Sequence, residues 1–470
     1  MTEPFPARAD QDRLAADQRE NKALAAASTV PTPLHVAESG GDLLPAAPSC
    51  LKDTGLDPDV LLDLALKLAY SCPQFDTEWA TRQLCLPLSL TSELLEQLRI
   101  QKLIEVLGGA GPFTYRFRIT QTGRERCEWL MSVSGYVGPA PVSLEAYTSM
   151  LLLQLPRLPN ASPSGVAAAL ADLVLPEQTV ELAGLAACSG RSLFLYGPPG
   201  NGKTSLGRLL HQTLPGKLWI PHCIAIENQV IRMYDRQCHR DAAPDVSAEV
   251  TDRYDERWVC IRRPLVLVGG ELTLHDLDLI YDSGRRYYEA PLHLKANGGI
   301  FILDDFGCQQ TPPNELLNRW IVPLEQRIDY LTLRTGQQIQ VPFQSLLILS
   351  TNRDPHEVMA PGLLRRMGYR VRLDDPAPED YALIFTRYAR RCGVEVPAGL
   401  LDWLLVRYRS QQRPLHSCEP RDLVERARDI CRYRGCRLEL TEEILTLAWQ
   451  GYFGNGPCEP RRESTETGRG

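Results

Sequence analysis

Residues 197–204 read Gly-Pro-Pro-Gly-Asn-Gly-Lys-Thr, and this stretch decides the fold. An apolar segment typical of a strand, Leu193–Tyr196, runs into it, and helical spacing of leucines follows from Ser205. The pattern Gly-x-x-x-x-Gly-Lys-[Ser/Thr] between a strand and a helix is a phosphate-binding loop. Its glycines let backbone N–H groups curl around a phosphate at a helix N-terminus, where the helix dipole favours an anion. The sequence therefore predicts a P-loop nucleotide site.

The loop predicts ATP and Mg²⁺ as cofactors. Lys203 would neutralise the β- and γ-phosphates, and Thr204 would be a ligand of Mg²⁺. The residues assigned to nucleotide binding are Gly197, Pro198, Pro199, Gly200, Asn201, Gly202, Lys203, Thr204 and Ser205.

Two further apolar segments end in polar side chains. The segment 300–303 is followed by Asp304 and Asp305, and a buried strand has no reason to end in paired acids unless a cation or a water needs them. We predict that Asp304 holds Mg²⁺ and that Asp305 polarises the attacking water. The segment 346–349 leads to Asn352, whose amide is suited to hold that water, although asparagine also simply starts turns.

The length, net charge and apolar content of the chain exclude several classes of protein. A chain of 470 residues exceeds one ordinary core and predicts two or three domains. Its formal charge of −7 argues against a surface built to coat nucleic acid. No apolar run approaches the ~20 residues that span a bilayer, and the N-terminus lacks the apolar stretch of a signal peptide. We therefore expect a cytoplasmic protein with no membrane partner.

Changes in pattern along the chain predict five segments. We expect a disordered arm over residues 1–50 and a disordered tail over 456–470, because neither has the apolar periodicity that burial requires. Residues 136–375 alternate apolar runs with helices and predict an α/β core with a parallel sheet. Residues 376–455 are helical and rich in arginine, and residues 51–135 form a separate front domain.

The front domain, residues 51–135, shows three short helices and then two strands, which is the winged-helix order. Winged helices bind DNA or dock proteins. The segment carries nine basic and eleven acidic side chains, and Glu93 and Glu96 lie on the helix that would have to approach phosphates. Because phosphate contacts supply most non-specific affinity, we favour protein docking over nucleic acid.

The order of these motifs resembles that of the AAA+ ATPases over about residues 165 to 440. Asn352 matches the sensor-1 position of that family, and Arg421 matches the sensor-2 arginine that opens a lid helix. Arg365 and Arg366 match the arginine finger, unless they only pair with the acids at 374 and 375. The resemblance implies a helical lid and a homo-oligomeric ring, most simply a hexamer, because the finger serves a neighbouring subunit.

Within that family, three segments look like those of the clade that includes MoxR-like ATPases, magnesium chelatase subunits and sigma-54 activators. They are residues 295–299, residues 323–327 and the hairpin at 330–341. This resemblance implies ATP-driven remodelling of a protein client, with the front domain holding a client or adaptor. One alternative is a DNA-associated ATPase, such as a loader or transcription regulator. Another is a nucleotide-gated scaffold that hydrolyses slowly, since Asp305 stands where the family usually has glutamate.

Overall fold

The computed structural model describes residues 36–39, 42–111, 114–243 and 254–454. Most of the predicted disordered arm lies outside these ranges. Its last residues differ from the expectation, because strands β1 (Val36–Ser39) and β2 (Asp42–Pro45) pair antiparallel. Leu43 and Leu44 are buried in a cluster with Ile220 and Trp258 of the core. This apolar burial orders the end of the arm.

The front domain contains the three helices and the hairpin that its sequence predicts. Asp76 caps the second helix, since its carboxylate accepts a hydrogen bond from Trp79 N at 2.7 Å. An additional short strand pairs with the hairpin, and a fourth helix follows it. The elements are α1 (Pro58–Ser71), β3 (Phe75–Asp76), α2 (Thr77–Leu84), α3 (Leu88–Ile100), β4 (Ile104–Gly111), β5 (Thr114–Ile119) and α4 (Gln121–Val133).

The front domain shares a buried interface with the core. Its leucine-rich cluster includes Cys223, Val230 and Tyr287 from the core. A buried ion pair joins Arg257 to Asp255 at 2.7 Å, with both side chains no more than 5% exposed. The Arg257 guanidinium also donates to the carbonyl oxygens of residue 54 at 3.1 Å and residue 141 at 3.3 Å. The two regions are therefore joined by apolar packing and by one buried cation.

Replacing Arg257 with alanine is expected to destabilise the protein by about 3–5 kcal/mol, because Asp255 would stay buried without its counter-charge. Chemical denaturation measures the free energy of unfolding. Arg118→Ala is the matched control, since that arginine pairs with Glu105 on an exposed surface where ion pairs contribute little. Equal unfolding midpoints for the two variants would show that the buried Arg257 cation does not stabilise the fold.

The core region contains eight helices and fourteen strands among its described residues. The helices are α5 (Leu144–Gln154), α6 (Pro163–Leu170), α7 (Glu177–Ser189), α8 (Lys203–Gln212), α9 (Leu292–Lys295), α10 (Pro313–Gln326), α11 (Pro355–Val358) and α12 (Pro361–Leu364). The strands are β6 (Val142–Ser143), β7 (Leu193–Tyr196), β8 (Lys217–Pro221), β9 (Cys223–Ile226), β10 (Gln229–Arg232), β11 (Trp258–Arg262), β12 (Leu265–Val268), β13 (Ile280–Asp282), β14 (Tyr287–Glu289), β15 (Ile300–Leu303), β16 (Ile328–Thr332), β17 (Gln338–Pro342), β18 (Leu346–Thr351) and β19 (Tyr369–Arg372).

Five of these strands form the central sheet, in the order β12-β15-β18-β7-β19, and all neighbours are parallel. Strand β18 is inserted between β15 and β7. The carboxyl ends of β7, β15 and β18 therefore meet at one edge, where open α/β sheets bind ligands. The predicted α/β P-loop fold with a parallel-sheet core is confirmed.

Residues 217–289 do not follow the predicted alternation of strands and helices. Apart from β12, the described strands of this range form an antiparallel pair, β11-β8, and most of a five-stranded mixed sheet, β13-β14-β10-β9-β6. Strands β16 and β17 form the hairpin that the sequence predicts before sensor 1. This second layer packs α5 against its apolar face, as the shared buried cluster of Tyr147, Met150, Ile224 and Trp258 shows.

The C-terminal region, residues 376–454, is helical, as predicted, and we name it the lid. Its four helices are α13 (Pro378–Arg391), α14 (Leu400–Ser410), α15 (Glu419–Arg434) and α16 (Glu442–Phe453). They enclose one apolar cluster, in which the rings of Tyr408 and Trp449 lie 4.6 Å apart. The predicted tail, residues 456–470, lies outside the described residues. Within the described ranges, every helix is too short or too polar to cross a bilayer.

Candidate functional site

The phosphate loop joins β7 directly to α8, which begins at Lys203, two residues earlier than the sequence indicates. Gly200 and Gly202 have φ angles of 81° and 84°, a left-handed conformation that glycine adopts without strain. A Cβ on Gly200 would also lie 2.7 Å from Cys418 Sγ of the lid. The sequence therefore folds here into a tight turn that leads into the N-terminus of α8, where free N–H groups suit an anion.

Lys203 is buried within this loop. Its ammonium donates to the carbonyl oxygens of Gly197 at 2.9 Å and Pro198 at 2.7 Å. Burial lowers the pKa of Lys203, while the nearby carboxylates of Asp305 and Asp304 act in the opposite direction. The lysine thus lies between its own loop and the acids that follow β15.

The structure brings the two predicted Mg²⁺ ligands together. Thr204 Oγ1 donates to Asp304 Oδ2 at 2.7 Å, and the hydroxyl of Ser350 at the end of β18 donates to the other carboxylate oxygen. Hydroxyl and carboxylate oxygens are the hard ligands that Mg²⁺ takes beside substrate phosphates, so these residues fit that ion. Ser350 was missed from the sequence, although a hydroxyl following an apolar strand was the available signal.

Asp305 and Asn352 also lie side by side. The backbone of Asp305 has a φ of 48°, which is unusual for a residue other than glycine. Asn352 Nδ2 donates to Asp305 Oδ1 at 2.9 Å. The two residues predicted to handle the attacking water therefore share one hydrogen bond at the exposed rim of the site.

Arg421 and the phosphate loop line one cavity of about 410 Å³, within the range of small-molecule sites. The Arg421 guanidinium donates to Asp422 at 3.0 Å, and this bond raises its pKa. The cavity also has an apolar wall, which no motif in the sequence indicates. That wall consists of Leu173, Val174, Leu175, Ile384 and Tyr388.

Asn201 connects the phosphate loop to the lid. Its amide nitrogen donates to Asp375 Oδ1 at 2.8 Å, and its amide oxygen accepts from Ser417 N at 3.0 Å. His416 Nδ1 lies 2.9 Å from the same Asp375 oxygen. The position of the lid is therefore coupled to the conformation of the loop.

Arg365 and Arg366 lie away from this cavity, after α12. Arg366 contacts Glu325 and donates to Gly362 O at 3.1 Å. Arg365 is exposed, and within residues 36–39, 42–111, 114–243 and 254–454 its guanidinium has no hydrogen-bond or ion-pair partner. The alternative pairing with the acids at 374 and 375 is not formed, since Asp374 pairs with Arg372 at 2.6 Å.

Residues 377–451, within the lid, match a family described as a domain of unknown function (DUF8689). A search of curated proteins finds no match.

Solved structures similar to this chain include NtrX from Brucella abortus in complex with ADP, at 16% identity and a TM-score of 0.38. That match covers 64% of this chain and only 60% of NtrX. The RuvB Holliday junction branch migration motor of Thermotoga maritima is similar at 14% identity and a TM-score of 0.35, with 59% of this chain and 70% of RuvB covered.

Proposed function

We propose that this protein is an ATPase that binds Mg-ATP in the cavity between the phosphate loop and the lid. The observation that carries the proposal is the 2.7 Å hydrogen bond between Thr204 and Asp304, beside the buried Lys203 ammonium. A hydroxyl, a carboxylate and a lysine at the mouth of a glycine-rich loop are the groups that hold Mg²⁺ and the β- and γ-phosphates in P-loop enzymes.

Each residue has a separate task in this proposal. Lys203 neutralises phosphate charge, and the loop N–H groups orient the phosphates. Thr204 and Asp304 hold Mg²⁺, which supplies charge stabilisation on the β- and γ-phosphate oxygens when it is bound. The Ser350 hydroxyl fixes the orientation of the Asp304 carboxylate. The apolar wall that includes Leu173 and Ile384 accepts the base.

Asp305 and Asn352 act on the attacking water. The Asp305 carboxylate orients the water and polarises its O–H bond. The Asn352 amide keeps that carboxylate in place through the 2.9 Å hydrogen bond. In the reaction, the amide is also a donor for the water itself. Because aspartate is shorter than the glutamate usual in the family, by about 1.5 Å for one methylene, we infer that turnover is slow.

Asp305→Asn is expected to keep Mg-ATP affinity and to lower the steady-state rate of phosphate release about 10²-fold or more, since the amide keeps the shape and loses the charge. Nucleotide titration and a phosphate-release assay measure the two quantities. Asp305→Glu is the matched control, and it should retain activity. Undiminished release by the asparagine variant would show that another group activates the water.

The larger role that we propose is remodelling of a protein client by a ring of these subunits, in the manner of MoxR-like ATPases. Arg365 supports the ring, because an exposed arginine far from its own site is free to enter a neighbour's. The front domain would hold the client, since the acidic Glu93 and Glu96 lie on α3, the helix that would meet DNA. DNA affinity at two salt concentrations tests this choice, and tight, salt-sensitive binding would favour the DNA-associated alternative.

A further inference from the structure

A second cavity, of about 340 Å³, lies at the opposite edge of the central sheet. Gly299 and Leu346 line it immediately before or at the start of β15 and β18, whereas the nucleotide site lies beyond the ends of the same strands. From Gly299 to Asp304 the chain extends roughly 16 Å at the usual rise of a strand. This cavity is therefore separate from the nucleotide site.

Two arginines line this cavity without a counter-charge. Arg263 Nε donates to Gly298 O at 2.5 Å, and Arg327 Nη2 donates to Gly190 O at 2.7 Å. Over the residues that the structure describes, neither guanidinium forms an ion pair, and the residues lining the cavity include no aspartate or glutamate. Most N–H donors of the Arg263 and Arg327 guanidinium groups thus have no hydrogen-bond acceptor among the described residues.

The positive charges of Arg263 and Arg327 are partly buried, which disfavours the charged form of each side chain. Burial lowers the pKa of Arg263 to about 10. Burial also lowers the pKa of Arg327, and the positive charge of Arg191 adds to that effect. Partly buried cations destabilise a fold unless an anion offsets them.

A buried hydroxyl completes the lining. Ser345 is 1% exposed, and its Oγ has no hydrogen-bond partner among the described residues. An unpartnered polar atom at such a depth needs an explanation, since nearly all buried polar groups in proteins are hydrogen-bonded. Because Ser345 borders the cavity, rotation of its side chain toward the cavity would let a ligand oxygen provide the missing partner.

We propose that this cavity is a second anion site, which binds the phosphate group of inorganic phosphate or of a small phosphomonoester. Guanidinium groups from two separate chain segments and a hydroxyl suit a doubly charged, tetrahedral oxyanion. The volume lies at the lower end of small-molecule sites, with room for a phosphate and a small organic group. The site does not depend on the proposed ATPase activity.

Phosphate titration by calorimetry tests this site in the Lys203→Ala background, where the nucleotide loop is weakened. Arg263→Gln and Arg327→Gln, added singly, are each expected to reduce phosphate affinity by about tenfold or more, because each removes charge-assisted hydrogen bonds. Arg262→Gln is the matched control, since that neighbouring arginine is exposed and does not line the cavity, and it should leave the affinity unchanged.

Ser345→Ala tests the site even if an arginine variant unfolds. The Ser345 hydroxyl has no hydrogen-bond partner among the described residues, so its removal should not destabilise the fold. It should weaken phosphate binding while the thermal midpoint stays unchanged. A second titration uses glycerol 3-phosphate in place of phosphate, and comparing the two affinities distinguishes a phosphomonoester site from a site for the free ion. Acetate should not bind in either case. Absence of phosphate binding at millimolar concentrations, or equal affinity in all four variants, would overturn the proposal.

Discussion

Lys203→Ala is expected to abolish measurable ATP binding, with affinity falling by about 10²-fold or more, while the protein stays folded. The lysine is the one cation of the loop placed to meet the β- and γ-phosphates, and hydrogen bonds between charged partners are about twice as strong as neutral ones. Its ammonium contacts only loop carbonyl oxygens among the described residues, so no buried carboxylate loses a direct partner.

Titration calorimetry with ATP measures this effect, and circular dichroism verifies the fold. Arg208→Ala is the matched control, because Arg208 is a cation on the same helix but is exposed and does not line the cavity. It should bind ATP as the unchanged protein does. Wild-type affinity in the Lys203 variant would refute the assignment of residues 197–204 as the phosphate loop.

Arg365→Ala is expected to leave ATP binding nearly normal and to lower hydrolysis by about 10³-fold, because an arginine finger from a neighbouring subunit stabilises the charge of the transferring phosphoryl group. The structure favours Arg365 over Arg366 for this task. Arg366 is engaged by Glu325, whereas the Arg365 guanidinium is exposed and unpaired within the described ranges. Arg366→Ala should therefore retain more activity than Arg365→Ala, and it is the matched control.

Mixing variants tests whether the finger acts between subunits. Arg365→Ala subunits have an intact phosphate loop, and Lys203→Ala subunits have an intact finger. Each variant alone should be inactive, and the mixture should regain part of the phosphate release. Mixtures that stay inactive, or a wild type whose specific activity does not change on dilution to monomers, would contradict a shared site.

The position of the loop between a strand and a helix could be predicted from the sequence because its residues are contiguous. One stretch supplies the glycines, Lys203 and Thr204, and the apolar segment before it specifies the strand. Asp304 and Asp305 were found for a similar reason, since paired acids after a buried strand are a local signal. The fold class followed from the alternation of such segments, and the parallel sheet confirmed it.

The contacts that complete the site could not be predicted in this way. Asn201 and Ser417 are 216 positions apart in the chain, and their hydrogen bond exists only because the lid packs over the loop. Ser350 meets Asp304 because β18 lies beside β15 in the sheet, a neighbour relation that the order of strands along the chain does not give.

The sequence by itself determined the P-loop, its acidic partners and the helical character of the lid, because each depends on residues close together in the chain. Only the tertiary structure decided which side chains meet across strands and domains. In the folded chain, Arg257 is buried between the front domain and the core, and Arg365 is exposed. Arg263 and Arg327 line a cavity that has no acidic residue in its lining. The physical reason is that burial and the pairing of charges depend on distances in the folded chain, and sequence separation does not fix those distances.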